Sequence, residues 1–555
     1  MSKLVAELAG AQLIVVLGAV SLLLYFMYER RKSKPKTSLI TDIAILNARK
    51  GELFSYIRAT WRNTLDLRSA LELHRLQYAG QTVRVPIVGP GKLVLLPARE
   101  AKWLIDQPES VLSMHQQTDL HFQTAHKTVY PLRNQAHVHL VMTKLTRQVG
   151  NLVPVLMEEI ELAMPQAWNG TKSDEEGWQE VDVFDTLRVV IGQVTNRIFI
   201  GAPLCRSREL LDAGVAYAQA IPVAAQIISL FPASLRWLVA PLITIPNRAY
   251  EKTWFRLTLP EVEAHLRGYG GKEGQEKADF LQWSLQQAKE TGDEYMWEPK
   301  TLAARVLLVN AAAVHTSSFA ITHVLLDLVG SGTKRGSVYV SELRDEIRQV
   351  LAAHGGWSKR ALDDMHKLDS AFRESQRLNT VLTVGPLRIV NAGEGVTTPS
   401  GVHIPKGYQV GIPAYQMHMD SSIWGEDVAE FRPFRFLMNT GKQDTIDVND
   451  TSRLKQARQP WVTTSQEYLS FGGGRNSCPG RFFAAAELKL LLAHILLNYD
   501  FDFQKKRPSN QWFGTNHLPQ RRRPSKSNRE RQKQRLAYSR DVDTSFIQLF
   551  LSLYS

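Results

Sequence analysis

The chain opens with an apolar run. Leu8 to Tyr28 carries no charge, with Gln12 and Ser21 as its clearly polar side chains. About 20 apolar helical residues span a bilayer core, so 8–28 is expected to be a transmembrane helix. Tyr25, Phe26 and Tyr28 suit the interface, and Arg30, Arg31, Lys32, Lys34 and Lys36 follow. Positive flanks stay cytoplasmic, which places 1–7 in the lumen and the bulk of the chain in the cytosol. A cleaved signal peptide would have its basic cluster before the apolar run. Residues 29–44 read as a basic, proline-containing linker.

Beyond the linker the periodicity changes. Residues 52–78 follow a helical pattern. Thr82-Val-Arg-Val-Pro86 and Leu93-Val-Leu-Leu96, separated by Gly89-Pro-Gly91, predict a hairpin. Pro97 opens another helix, and helices dominate from about 131 to 378, including a long one over about 298–329. Leu387-Arg-Ile-Val390, Val402-His-Ile-Pro405 and Val410-Gly-Ile412 alternate with turn residues and read as short strands. No internal repeat or second linker divides 45–519, so this stretch is expected to be one mainly α domain with a small β region. Residues 520–555, basic then apolar, read as a tail.

Composition sharpens this picture little. Apolar residues make up 44% and charged residues 22%, a globular balance. The net charge of +13 is partly local: Arg521–Arg540 holds nine Lys or Arg against one acid. No folded face interleaves basic and aromatic residues, so nucleic acid is not an expected partner. Two cysteines, Cys205 and Cys478, exclude a disulfide scaffold. An important cysteine must act alone. A cytosolic domain also makes the sequons at Asn169 and Asn449 silent.

The chemistry concentrates around Cys478. In Phe471-Gly-Gly-Gly-Arg-Asn-Ser-Cys-Pro-Gly480 three glycines allow a sharp turn and close approach of a flat group. Pro479 is expected to begin the following helix, placing Cys478 at a helix N-terminus where N–H groups stabilise a thiolate. A single soft anionic sulfur suits haem iron; an anion nest, an inert thiol and a nucleophile remain alternatives. Glu374 and Arg377 share a helical face at i, i+3, and Arg435 lies among aromatics in Phe431-Arg-Pro-Phe-Arg-Phe436. If Arg435 joins the pair, the three satisfy one another and clamp the segment before the cysteine loop. The long helix carries Ala311-Ala-Ala-Val-His-Thr-Ser-Ser318. Small residues there admit a flat ligand and dioxygen, whereas Thr316 could instead back-bond to its own helix and His315 could be a satisfied core histidine.

In this order, the cysteine loop, the Glu-x-x-Arg pair, the Arg435 segment and the alanine–threonine helix resemble the cytochrome P-450 superfamily. The resemblance covers about 45–519 plus the anchor. Gly201-Ala-Pro-Leu-Cys-Arg206, Val141-Met-Thr-Lys-Leu-Thr-Arg147 and the His-Thr-Ser-Ser form are similar to fungal secondary-metabolite biosynthetic members. The resemblance implies a helix-rich triangular prism with a small β subdomain and haem b as cofactor. It implies Cys478 as axial iron ligand, Phe471 shielding the sulfur, and Gly474, Arg475 and Gly480 around the cofactor. Glu374, Arg377 and Arg435 become a structural triad, and Arg388 a partner for a haem propionate. Thr316 assists proton delivery, with His315 where the family often has an acid. Asn476 stands where a basic residue is usual. Cys205 is structural.

The implied activity is monooxygenation of a hydrophobic small molecule, a terpenoid or polyketide, at the endoplasmic reticulum membrane. NADPH supplies electrons through a reductase, with cytochrome b5 as an optional second donor. A reductase-independent haem-thiolate isomerase or lyase, and a non-catalytic haem-binding membrane protein, stay open as alternatives. The expected distal pocket lies near 121–126, 312–316 and 381–384. After about Pro519 the family pattern disappears.

Overall fold

The computed structural model describes residues 43–89, 91–168, 178, 181–269, 279–437, 460–513 and 516–518. The apolar 8–28 segment, nearly all of the linker, both sequons and the 520–555 tail lie outside them.

The 52–78 pattern resolves into two helices, α1 (Ser55–Leu65) and α2 (Leu67–Gln77). Asp66 divides them, and its carboxylate caps α2 by accepting the Ser69 N–H at 3.0 Å. The expected hairpin follows as β1 (Val83–Val85) and β2 (Leu93–Leu95), antiparallel with Val83 opposite Leu95. Next come α3 (Ala101–Asp106), β3 (Leu112–Ser113) and α4 (Met114–Phe122). The helical body comprises α5 (Thr146–Trp168), α6 (Val183–Phe199), α7 (Arg208–Leu230), α8 (Ala233–Ile243), α9 (Ile245–Gly268), α10 (Phe280–Thr291), α11 (Pro299–Val329), α12 (Thr333–His354) and α13 (His366–Leu378). Strands β4 (Arg388–Val390), β5 (Val396–Thr397), β6 (His403–Ile404) and β7 (Gln409–Gly411) precede α14 (Ala414–His418) and α15 (Arg481–Asn498). The hairpin β8 (Gln511–Phe513) and β9 (Asn516–Leu518) ends the described chain.

The strands build a mixed five-stranded sheet in the order β1-β2-β7-β4-β3, with β2 and β7 parallel and Val94 opposite Val410. Alternation decides its two faces. Leu93 and Leu95 pack with Leu67 and Leu71 of α2, whereas Val94 joins Leu112, Val390, Val410 and Leu469 on the other side. The largest core lies among the helices. There α11 packs against α6, α7, α9 and α13, and α5 against α6 and α15. Helices α7 and α11 are long and apolar enough to cross a membrane, yet 56% and 67% of their apolar windows are buried in the protein. Both are core helices.

Two buried polar hubs lie in this helical core. Asp327 of α11 accepts the Ser375 hydroxyl at 2.6 Å and the Asn379 amide at 2.8 Å, and pairs with Arg507. Arg507 also meets His323 Nδ1 at 2.8 Å. This hub ties the C-terminal segment to α11 and α13. The second hub joins α6 to α15, where Thr195 Oγ1 donates to Glu487 Oε1 at 2.7 Å. Burial pushes the Glu487 carboxyl up to about 8.

The sign follows from that shift. The folded chain keeps the Glu487 proton from the ordinary carboxylate range up to about 8, while the unfolded chain releases it at lower pH. Stability from the neutral acid is complete below the unfolded pKa and is lost as pH rises through 8, at about 1.4 kcal/mol per pH unit within that window. Glu487→Gln should remove this slope and leave the variant more stable than the parent at pH 8. Denaturant midpoints measured from pH 5 to 8 decide it; parallel curves for the two proteins would refute the assignment.

Candidate active site

The cysteine loop is closed by its own backbone. The Cys478 N–H donates to the Phe471 carbonyl at 2.8 Å. The chain turns within it through Gly472 at φ 74° and Gly474 at φ 62°, a left-handed region that side chains rarely adopt. The turn also lies hard against α3. A Cβ on Gly473 or Gly474 would fall 2.6 or 2.5 Å from the Ile105 side chain. Gly474–Asn476 forms a single 3-10 turn, with Arg475 exposed on it. The Phe471 ring rests on Trp461, centroids 5.6 Å apart.

One expectation about Cys478 needs correction. Pro479 does not open the helix: Gly480, at φ −85° and ψ 1°, is the cap and Arg481 the first helical residue. Cys478 therefore precedes the helix, though the N–H groups of Gly480 and Arg481 still point at its sulfur. The side chain is accessible to solvent, but protein crowds it on most sides. Burial raises the thiol pKa, outweighing the two N–H groups and the nearby Arg481 charge.

Helix α13 holds the loop in place, and it does so with polar side chains on its buried face. Glu374 and Arg377 are fully buried, with Arg377 Nε and Nη2 donating to the carboxylate at 2.8 and 2.9 Å. Arg435 Nε reaches Glu374 Oε1 at 3.0 Å, so the three residues of the expected triad meet. Arg377 also donates to the carbonyls of His418 and Val428 at 2.6 and 2.8 Å. Asp427 is a fourth member that sequence reasoning missed. It accepts from Arg435 Nη1 at 2.7 Å, and hydrogen bonds from Arg435 and Arg432 hold its carboxyl down at about 2.

The same helix grips the segment leading to the cysteine loop. Arg373 Nη1 donates to the carbonyls of Pro460 and Thr463, each at 2.9 Å. Trp461 Nε1 donates to Gln376 Oε1 at 2.7 Å and its ring stacks on Phe372 at 4.2 Å. Ser470 Oγ donates to the Gln376 carbonyl at 3.2 Å. His418 completes the grip: its Nε2 accepts the Leu469 N–H at 3.0 Å. Burial, then the charges of Arg377 and Arg373, push this imidazole down to about 3, which keeps it a neutral acceptor. A lone His after Met417 gave no sequence signal for that role.

Above this scaffold, α11 is buried on nearly every side but one. Leu308, Val309 and Ala313 are partly exposed and Ala312 and Thr316 more so, at helical spacing in the middle of a core helix. Such a stripe borders open space inside the fold. The Thr316 hydroxyl donates to the carbonyls of Ala312 and Ala313 at 2.9 and 3.3 Å, the back-bonded arrangement. His315 points away from the stripe, Nε2 at 3.3 Å from the Val215 carbonyl of α7. Of the other expected pocket residues, Leu382 is exposed, Thr383 and Val384 are buried, and His121 and His126 are partly buried. Cys205 is buried, its thiol pushed up to about 12 by burial.

Arg388 supplies a test of fit for an anionic cofactor. It is 2% exposed, and Nη1 is bonded to the Leu387 carbonyl at 2.8 Å and Met114 Sδ at 3.0 Å. Nη2 is buried with no protein acceptor. Burial lowers its pKa, with Glu109 opposing. A buried guanidinium with an open donor suits a carboxylate such as a haem propionate. With the lone accessible thiol and the open α11 stripe, these residues fit haem. Among the described residues no group of three or more His, Cys, Asp or Glu could hold a metal ion by itself.

Removing Glu374 leaves the fully buried Arg377 without a carboxylate, while Arg435 keeps Asp427. Glu374→Ala should cost about 3–5 kcal/mol of stability, read as a drop in the chemical denaturation midpoint. A variant as stable as the parent would show that the cluster carries no such load.

Comparison with known proteins gives the family. A family model described as cytochrome P450 matches residues 106–526. Cytochrome P450 monooxygenase 151 of Postia placenta is 32% identical over 442 residues, covering 79% of this chain and 84% of that protein. Cytochrome P450 monooxygenase 103 of the same organism is 29% identical over 517 residues, 91% of this chain and 95% of its own. Cytochrome P450 monooxygenase olcJ of Penicillium canescens is 30% identical over 416 residues, 74% of each chain. This chain is an oxygen-incorporating oxidoreductase and belongs to the cytochrome P450 family.

Proposed function

We propose that this chain is a membrane-anchored monooxygenase that places one oxygen atom of dioxygen into a hydrophobic small molecule, a terpenoid or polyketide secondary metabolite. The observation that carries the reading is the pairing of one accessible, loop-presented thiol with an open apolar stripe on a core helix. The stripe of Leu308, Val309, Ala312 and Ala313 has no charge, so the molecule it admits is apolar at that face. Haem b, when bound, supplies dioxygen reduction and oxygen transfer, with electrons from NADPH through a reductase and, optionally, cytochrome b5.

The protein's share is positioning and proton control. Cys478 holds the cofactor by sulfur, its thiolate form favoured once a cation lies against it, with the Gly480 and Arg481 N–H groups tempering its charge. Phe471 covers the sulfur; Gly474 and Gly480 leave room for a flat group, and Arg475 on the exposed turn is a candidate propionate contact. Arg388 offers Nη2 to a propionate. The Thr316 hydroxyl, released from the Ala312 carbonyl by rotation about χ1, is placed to hand a proton into the open space. The 8–28 segment anchors the protein in the endoplasmic reticulum membrane with the catalytic domain cytosolic.

Reconstitution with NADPH and a flavin reductase tests the proposal, using the compound that accumulates when the gene is deleted as substrate. Oxygenated product that requires NADPH and dioxygen is expected; turnover that proceeds without NADPH would overturn it in favour of an isomerase. Within the same assay Thr316→Ala should cut product formed per NADPH by on the order of tenfold while NADPH oxidation continues, because positioned proton delivery is worth about 10²–10⁴ in rate. Unchanged coupling would reassign Thr316 to helix packing.

A further inference from the structure

Helices α7 and α11 meet at one unusually close point. Gly214 occupies it: a Cβ there would fall 2.9 Å from Asn310 Oδ1 and 3.0 Å from the Trp254 ring. The next residue, Val215, offers its carbonyl to His315 Nε2 at 3.3 Å. A carbonyl only accepts, so Nε2 is the donor in this contact. Within the same turn of α7, the Tyr217 hydroxyl accepts the Tyr130 N–H at 2.9 Å and donates to Glu251 Oε1 of α9 at 3.2 Å. One turn of α7 thus touches the open-striped helix, the 123–130 connection and α9. Trp254 closes the triangle, its Nε1 donating to the Ala303 carbonyl of α11 at 3.1 Å.

Beyond this turn α7 is built differently. Pro222 removes the N–H that would bond the Ala218 carbonyl, and the helix then runs to α8, which exposes Trp237, Leu238 and Leu242. The first half of α7 is clamped and the second half is loosened at Pro222.

We infer that His315 is a strut between the two helices: its Nε2–H holds the first half of α7 at a fixed height over the stripe containing Ala312 and Thr316. It is a positioning residue that sets how large a molecule the space above Thr316 admits. The inference rests on the proposed reading of that stripe as the reaction face, and it deepens it. The residue beside Thr316 acts through α7. Gln is the conservative replacement, because its side-chain amide keeps a donor at the reach of Nε2 and has no basic nitrogen. Ala removes the donor.

The test uses haem-loaded protein and two nitrogen ligands read by the shift of the haem absorption band, imidazole as the small probe and clotrimazole as the bulky one. His315→Ala should weaken clotrimazole about tenfold, the worth of one hydrogen bond, and leave imidazole within about twofold. His315→Gln should match the parent for both within about twofold. Hydrogen exchange of the same proteins is the independent arm: amides of 213–219 should exchange about tenfold faster in His315→Ala and at the parental rate in His315→Gln. An Ala variant that keeps both clotrimazole affinity and exchange protection, or a Gln variant that behaves like Ala, would overturn the strut. If neither azole shifts the parental spectrum, the haem reading fails, and the exchange arm still decides the strut.

Discussion

One short backbone hydrogen bond, from the Cys478 N–H to the Phe471 carbonyl, fixes where the proposed chemistry can occur. It closes a turn that only glycine fills, at φ 74° and 62°, and it leaves the thiol aimed outward, ahead of the first turn of α15. The sulfur sits in a contradictory environment. Two N–H groups and a nearby arginine favour its anion, and burial disfavours it more strongly.

The turn would have no fixed place without α13. That helix inverts the usual arrangement, burying Arg373, Glu374, Ser375, Gln376 and Arg377 in succession. Each charge or amide has a named acceptor or donor on another stretch of chain: Pro460 and Thr463, Trp461, Val428, His418 and Arg435. Buried ion pairs are weak sources of net stability but specify geometry, because a misplaced partner leaves an unpaired charge. The consequence here is rigidity of the 460–470 segment, the last support before the glycine turn. Helix α11, which packs against α13, has the reverse design: a core helix left open along one small-residue stripe.

Much of this was legible in the sequence, for physical reasons. Helix and strand types followed from periodicity, and the β1–β2 hairpin from its Gly-Pro-Gly turn. Glu374, Arg377 and Arg435 were legible because charged residues among Phe372, Phe431 and Phe434 demand one another. Pairing of β2 with β7 joins residues more than 300 apart and leaves no local trace. Asp427 and His418 escaped notice because each is a single polar residue in a turn or short helix, whose role comes from what folds onto it. Sequence placed Pro479 at the helix start because proline favours that position; the tie back to Phe471 delays the helix to Arg481. For Thr316 both possibilities were visible, and the hydroxyl sits back-bonded. For His315 the direction of the ring was not legible, since it depends on how near Gly214 lets α7 approach.

The account stands on sulfur as the proposed iron ligand, and the absorption spectrum of the haem-loaded, reduced protein under carbon monoxide addresses that bond directly. It should show the long-wavelength Soret band of thiolate-bound haem. A band at the shorter wavelength of nitrogen-ligated haem, or a purified chain that retains no porphyrin, would contradict it.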